Sequence, residues 1–262
     1  RYTILGYRPS DVDASLVREA ATGRIKVNVL NDVTLKAGER VNATESSSAT
    51  PGQYNFVQIG HGGRDAADNG YNHSGDIVVQ AGLGTGPGIT GNITATAGKN
   101  LATFVHIGHG GDGGGASAGS FRGDFTVEAG ENGSVEFTAG AGRRAYAQIG
   151  HGGYDVDAGV TVTDSIGYHS GNITVRAGTD IEFYGGVGAT DFVTDSGSYA
   201  MIGHGGYGSQ SRSSVQGHMG EIVVEAGTGG TSGGILFQSG DIDNNFTQIG
   251  HGGLGKGSHM RG

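Results

Sequence analysis

The sequence predicts an all-β chain wound as a right-handed parallel β-helix, a solenoid of about five three-stranded coils. Three observations carry the prediction: a recurring histidine phrase, two strand-like runs between its copies, and their unchanging order. The phrase reads "FVQIGHGG" from Phe56, "FVHIGHGG" from Phe104, "YAQIGHGG" from Tyr146, "YAMIGHGG" from Tyr199 and "FTQIGHGG" from Phe246. Its histidines, His61, His109, His151, His204 and His251, stand 48, 42, 53 and 47 residues apart. One repeat of about 48 residues holds three sides of roughly ten residues plus loops, so one repeat is read as one coil.

Taken in chain order, residues 1–22 form a degenerate first copy of the third strand and a loop. "YTILGYRP" from Tyr2 aligns with "FTQIGHGG", with Tyr7 standing at the histidine position. Residues 10–21 are expected to form a short helix in that loop. Residues 23–262 then carry the repeats, at 23–63, 64–111, 112–153, 154–206 and 207–253, with a partial next repeat at 254–262.

Strand a is "GRIKVNV" from Gly23, "GDIVVQAG" from Gly75, "GDFTVEAG" from Gly123, "GNITVRAG" from Gly171 and "GEIVVEAG" from Gly220. Alternation of period two marks a strand with one buried face, placing Ile25, Ile77, Phe125, Ile173 and Ile222 inward. Strand b is "DVTLKAG" from Asp32, "GNITATAG" from Gly91, "GSVEFTAG" from Gly133, "DIEFYGG" from Asp180 and "GILFQSG" from Gly234. It buries Val33, Ile93, Val135, Ile181 and Ile235, with Leu35, Ala95, Phe137, Phe183 and Phe237 alongside. The A-G that closes many of these runs suits a corner, where glycine adopts dihedrals that other residues avoid. Strand c is the histidine phrase itself.

Three short strands in fixed order cannot bury their faces alone, but stacked coils can, with like residues about 4.8 Å apart. The right hand follows from the general preference for right-handed parallel crossovers. A β-propeller is the alternative architecture, but its blades need four antiparallel strands and hairpin turns that the repeat does not supply. No polar cap is evident at the C-terminal end, and open strand edges invite further pairing. The chain is therefore expected to be a piece of a longer one, or a subunit whose ends stack. "GSHM" from Gly257 matches "NHSG", "YHSG" and "QGHMG" at the same point of earlier repeats and is read as part of the repeat.

Composition narrows the function classes. Of 262 residues 56 are glycine and 3 proline without a period of three, which excludes collagen. Zero cysteines exclude disulfides and thiolate metal sites. A net charge of −9 without a basic cluster argues against nucleic acid and anionic membrane as partners. Neither a bilayer-spanning apolar stretch nor a signal peptide is present, so no membrane insertion is expected.

The phrase histidines are read as a structural ladder at a corner. If Ile59, Ile107, Ile149, Ile202 and Ile249 face inward, the imidazoles two residues later stack in or near the core. There each ring nitrogen needs a partner. Phe56, Phe104, Tyr146, Tyr199 and Phe246 would then form an outer stacked ladder. The competing reading is metal binding by the same five histidines with a second column, His73, His169, His218 and His259, helped by Asp65, Asp112 and Asp155. The expectation is no metal, no cofactor and no catalytic residue, because ligand offsets are not fixed and five copies of one catalytic histidine serve no evident purpose.

Other chemistry is sparse. Glu136 and Glu182 share an outward column in adjacent coils, close enough for paired-carboxylate catalysis of polysaccharide cleavage, but one such pair with no aromatic-lined cleft beside it is more often a solvated face. Gln80, Glu128, Arg176 and Glu225 form another outward column suited to charge pairing. A nine-residue calcium-roll period is absent, and Thr94, Thr96, Thr126 and Thr174 are too irregular for an ice-matching plane. Glycosylation triplets occur at Asn42, Asn72, Asn92, Asn132, Asn172 and Asn245.

Runs such as "GNITVRAGTDIEF" and "GSVEFTAGAGRRAYAQIGHGG" resemble the repeats of filamentous haemagglutinin-like large exoproteins, which Gram-negative bacteria export by two-partner secretion and related routes. The resemblance covers nearly all of the chain after Gly23. It implies a β-helical rod, secreted and exposed on the bacterial surface, serving adhesion or cell contact through an unknown ligand, and it brings no catalytic residues. The secretion domain of such proteins is not in this sequence. The expected function is thus a segment of an extracellular adhesin or surface filament. The alternatives are an end-to-end fibre subunit, a polysaccharide-cleaving enzyme and a metal-binding histidine ladder.

Overall fold

The alternating runs stack into three parallel sheets. The computed structural model describes residues 3–5, 21–38, 55–63, 72–84, 89–113, 120–156, 169–186, 197–208, 218–230, 232–241 and 244–254. Among them the fold is all-β, with no helix. Residues 10–20 of the expected short helix, together with Tyr7, Asn42, Asp65 and His259, lie outside the described residues.

Strand a recurs as Ile25–Asn28, Ile77–Gln80, Phe125–Glu128, Ile173–Arg176 and Ile222–Glu225, in one five-stranded sheet. Strand b recurs as Val33–Lys36, Ile93–Thr96, Val135–Thr138, Ile181–Tyr184 and Ile235–Gln238, in a second. Strand c forms a six-stranded sheet from Thr3–Leu5, Val57–Ile59, Val105–Ile107, Ala147–Ile149, Tyr199–Ile202 and Phe246–Ile249. All pairs in these sheets are parallel and join equivalent residues. Val127 lies between Val79 and Val175, Phe137 between Ala95 and Phe183, and Ile149 between Ile107 and Ile202. Thr3 pairs with Val57, the register that aligning "YTILGYRP" with the phrase requires. One repeat therefore makes one coil of a parallel β-helix.

The interior is filled by the aliphatic columns. Ile77, Val79, Ile93, Val127, Val135, Ile149, Ile173, Val175, Ile181 and Ile202 are fully buried in one continuous cluster. Each such side chain stabilises the fold by about 1.5–3 kcal/mol relative to exposure. Phe137 and Phe183 stack at 5.0 Å, and Phe183 and Phe237 at 4.9 Å. A slip of one residue would turn Thr126, Glu136 or Arg176 into this interior, so the pattern holds the register.

Two local expectations need correction. Glycines at the strand b corners are required by space, not by dihedral, whereas Gly82 and Gly227 at strand a corners do adopt left-handed backbone (φ 71° and 74°). A Cβ at Gly98, Gly140 or Gly186 would strike the carbonyl oxygen of the equivalent glycine one coil below. Left-handed backbone instead concentrates around the histidine phrase, as at Gly150 (φ 135°) and Gly152 (φ 107°).

The aromatic ladder, expected to be outer, is buried. Phe56, Phe104, Tyr146 and Tyr199 pack with Tyr154, Met201, Tyr207 and Phe246 into a second apolar cluster. The chain after the phrase supplies the cover: Gly110–Asp112 and Gly152–Tyr154 pair as extra strands, and Tyr154 stacks on Tyr207 at 4.8 Å. Strand c is thus buried on both faces in the middle coils, as a strand packed between two layers must be.

Candidate functional site: the histidine ladders

The phrase backbone leaves the usual strand dihedrals at the glycine before the histidine in four of the five copies, at Gly60, Gly150, Gly203 and Gly250. There the histidine N–H loses the carbonyl a regular ladder would offer it. The imidazole of the next coil takes that place. The N–H of His61 donates to Nδ1 of His109 at 3.0 Å, that of His109 to His151 at 3.4 Å, that of His151 to His204 at 3.0 Å and that of His204 to His251 at 3.2 Å. An Nδ1 that accepts must be unprotonated, so these rings carry their proton on Nε2.

That proton reaches the start of strand a in the same coil. Nε2–H of His61, His109, His151, His204 and His251 donates to the carbonyl oxygens of Gly23, Gly75, Gly123, Gly171 and Gly220, at 2.8–3.2 Å. His109, His151, His204 and His251 therefore tie one coil to the next through Nδ1, and all five phrase histidines close their own coil through Nε2. Its ring also stacks on its neighbours at 4.8–4.9 Å. Glycine before the histidine is what lets the backbones come this close. A Cβ at Gly150 would collide with the carbonyl of Gly203, and one at Gly203 with that of Gly250.

A second file runs beside the first. It consists of His73, Phe121, His169 and His218, whose rings stack at 5.6, 4.7 and 4.6 Å. It sits 6.4 Å from the first file between His73 and His61, and 6.5 Å between His169 and His151. Nδ1 of His73 accepts from the N–H of Ala21 at 3.2 Å, and Nδ1 of His218 from that of His169 at 3.3 Å. Their Nε2–H groups are buried and find no acceptor among the described residues. Phe121 was missed at the level of sequence, although "SFRG" from Ser120 occupies the place of "NHSG" and "YHSG".

Burial penalises the charged imidazole throughout. Desolvation pushes His73 and His106 down to about 4, with His61 and His169 respectively adding repulsion. His109 and His169 are pushed down to about 3, the Gly75 carbonyl partly opposing the shift at His109. His151, His204 and His218 fall well below 6.5 for the same reason, reinforced by neighbouring histidines. The ladders are neutral near pH 7.

Neutral imidazoles are what a metal would need, but the hydrogen bonds compete for the same atoms. In His109, His151 and His204 one nitrogen accepts a backbone N–H and the other donates to a carbonyl, leaving no lone pair free. The carboxylates expected to help are turned elsewhere. Asp112 and Asp155 approach Arg144 at 3.6 and 3.3 Å, and the Arg144 guanidinium lies 4.5 Å above the Tyr154 ring. Among the described residues no group of three His, Asp or Glu side chains comes together to hold a metal.

Two further polar columns hold coil to coil. Nε2–H of Gln58 donates to the carbonyls of Gly108 and Gly110 at 2.8 and 3.1 Å, and that of Gln148 to Gly203 and Gly205 at 3.0 and 3.1 Å. In the coil between them His106 reaches Gly150, at 2.6 Å, and its buried Nδ1 has no partner among the described residues. Before strand a, Asp76 accepts from the N–H of Asp124, Asp124 from Asn172 and Asn172 from Glu221, at 2.8–3.1 Å. Asn72 and Asn92 do the same for Ser120 and Ser134, at 2.8 and 3.0 Å. These asparagines have a physical reason to be present apart from any glycan.

On the outside, Glu136 and Glu182 are register partners on the half-exposed face of strand b. In the charge column, Gln80 and Arg176 both bind Glu128, at 2.6 and 3.5 Å, and Arg176 binds Glu225 at 2.5 Å. No protein-family model, no curated protein and no solved structure matches the chain, so its relation to other proteins rests on the residues just described.

Proposed function

We propose that this chain is a stretch of an extracellular β-helical adhesin or surface filament, a stiff rod that carries loops outward. One observation supports the reading best: the polar groups recurring in each coil are engaged in binding that coil to itself and to its neighbours. The phrase histidines use both ring nitrogens this way, and the glutamines and Asx side chains cross to the next coil. A chain built so adds about 4.8 Å of length per coil without adding a reactive centre. The length variation among its repeats falls in the connections after the phrase and before strand c, where a presenting surface would lie. The likeness of its repeats to filamentous haemagglutinin-like exoproteins agrees with this reading. Negative-stain microscopy of the isolated chain is expected to show short monodisperse rods, and labelled chain to bind cells through the connections. Binding that survives replacement of those connections by Gly-Ser linkers would refute the loop-presenting role.

A further inference from the structure

The two histidine files are neutral, buried and side by side, and their geometry holds only while they stay neutral. We propose that together they form an acid-released latch, which keeps the coils closed at neutral pH and lets them open cooperatively as the imidazoles take up protons.

Three features make the latch. First, Nδ1 of His109, His151, His204, His218 and His251 accepts a backbone N–H from the preceding coil. A proton on that nitrogen would set donor against donor and cut the bond between coils. Second, neighbouring rings stack at 4.6–4.9 Å, so a charge on one ring bears directly on the next. Third, the files approach to 6.4 and 6.5 Å, so charging one also penalises the other.

Glycine carbonyls relieve such a charge in part, but for His109, His151, His204 and His218 no carboxylate among the described residues offsets it. Strand a presents glycine carbonyls and the Phe125 ring, edge-on to His151 at 4.5 Å. Strand c contributes His106, itself buried, which repels a charge on His109. For His109, His151, His204 and His218 the charged groups that act are other histidines, namely His61, His73, His106, His109, His169, His204, His218 and His251.

The direction of the pH effect follows from linkage. In the unfolded chain a histidine takes its proton near 6.5, whereas in the fold His73 and His106 wait until about 4 and His109 and His169 until about 3. Stability is therefore fully present above pH 6.5 and drains away as pH falls toward 4 and 3. Within that window each such histidine lowers the folding constant by up to about tenfold per pH unit. Several acting together make the loss steep. Unperturbed carboxylates titrate near 4, so the range from pH 6.5 to 5 belongs to the histidines.

The molecule also supplies its own control, since Phe121 fills one position of the second file while keeping the stack. Urea unfolding followed by far-ultraviolet circular dichroism should be measured from pH 8 to 5 for the wild type and for His73→Phe, His169→Phe and His218→Phe, singly and combined. The wild-type folding constant is expected to fall at least about 100-fold between pH 6.5 and 5.5, which corresponds to uptake of two or more protons on unfolding. The triple variant should show a slope shallower by up to about three protons. A wild-type constant that stays flat from pH 8 to 5, or a variant with unchanged slope, overturns the latch. Should the triple variant not fold at pH 8, the single His169→Phe and a direct measurement of proton uptake on wild-type unfolding at pH 5.5 decide the matter; uptake below one proton refutes it.

Discussion

The two histidine files stand side by side yet are held by different means. In the phrase file every member donates from Nε2 to a glycine carbonyl at the start of strand a. All five positions are histidine. In the neighbouring file Phe121 takes one of the four described positions, and the Nε2–H groups of His73 and His218 find no acceptor among the described residues. The first file uses a ring with two nitrogens in fixed roles, whereas the second uses at most Nδ1, at His73 and His218, and accepts a plain flat ring at Phe121. Similar residues in similar burial thus carry different constraints, and hydrogen-bond partners separate them where burial does not.

The sharpest way to break the phrase file is to deny it close approach. Gly150→Ala places a methyl against the Gly203 carbonyl at a left-handed position (φ 135°). Backbone strain and overpacking together should cost about 4 kcal/mol or more, read as a fall in urea midpoint or as failure to fold. Next in size is His204→Phe, which keeps the stack but leaves the His151 N–H and the Gly171 carbonyl without the partners they have at 3.0 and 2.8 Å. Two buried unsatisfied groups should cost about 2–6 kcal/mol at pH 8. The matching change in the other file, His169→Phe, should cost no more than about 1 kcal/mol in the same experiment, because Phe121 shows the ring is accommodated. Equal losses from the two substitutions would erase the distinction between the files.

Smaller changes sharpen it further. His106 stands where Gln58 and Gln148 each reach several carbonyls, and its Nδ1 has no partner among the described residues. One coil on, Tyr199 donates its hydroxyl to Gln148 at 3.0 Å, whereas among the described residues no side-chain acceptor meets the buried Tyr146 hydroxyl beside His106. His106→Gln should therefore raise stability by about 1 kcal/mol, seen as a higher thermal midpoint at pH 7. Arg176→Ala, which removes the ion pairs with Glu128 and Glu225 at a partly exposed face, should change it by only about 0–1 kcal/mol, and less in high salt.

Much of the coil was legible from alternation alone. Ile77, Val79, Ile93 and Val135 read as inward, and their neighbours Gln80, Thr94 and Glu136 as outward, because a strand has a period of two. The burial of Phe104, Tyr146 and Tyr199 was not legible, since it depends on how the chain after GHGG returns to cover strand c. Nor could spacing reveal that Asp112 and Asp155 turn to Arg144 instead of a histidine. Phe121 was hidden for another reason: a search for repeated histidines passes over the one position where a different flat ring does the same packing.

The order and length of the repeats determined by themselves the parallel, in-register winding, because short strands with one apolar face can bury it only against their own equivalents. Tertiary structure alone decided which nitrogen of each imidazole accepts and which donates. Those roles belong to backbone groups far off in the chain, the Gly171 carbonyl in the same coil as His204 and the His151 N–H in the preceding one, and no local pattern places them there.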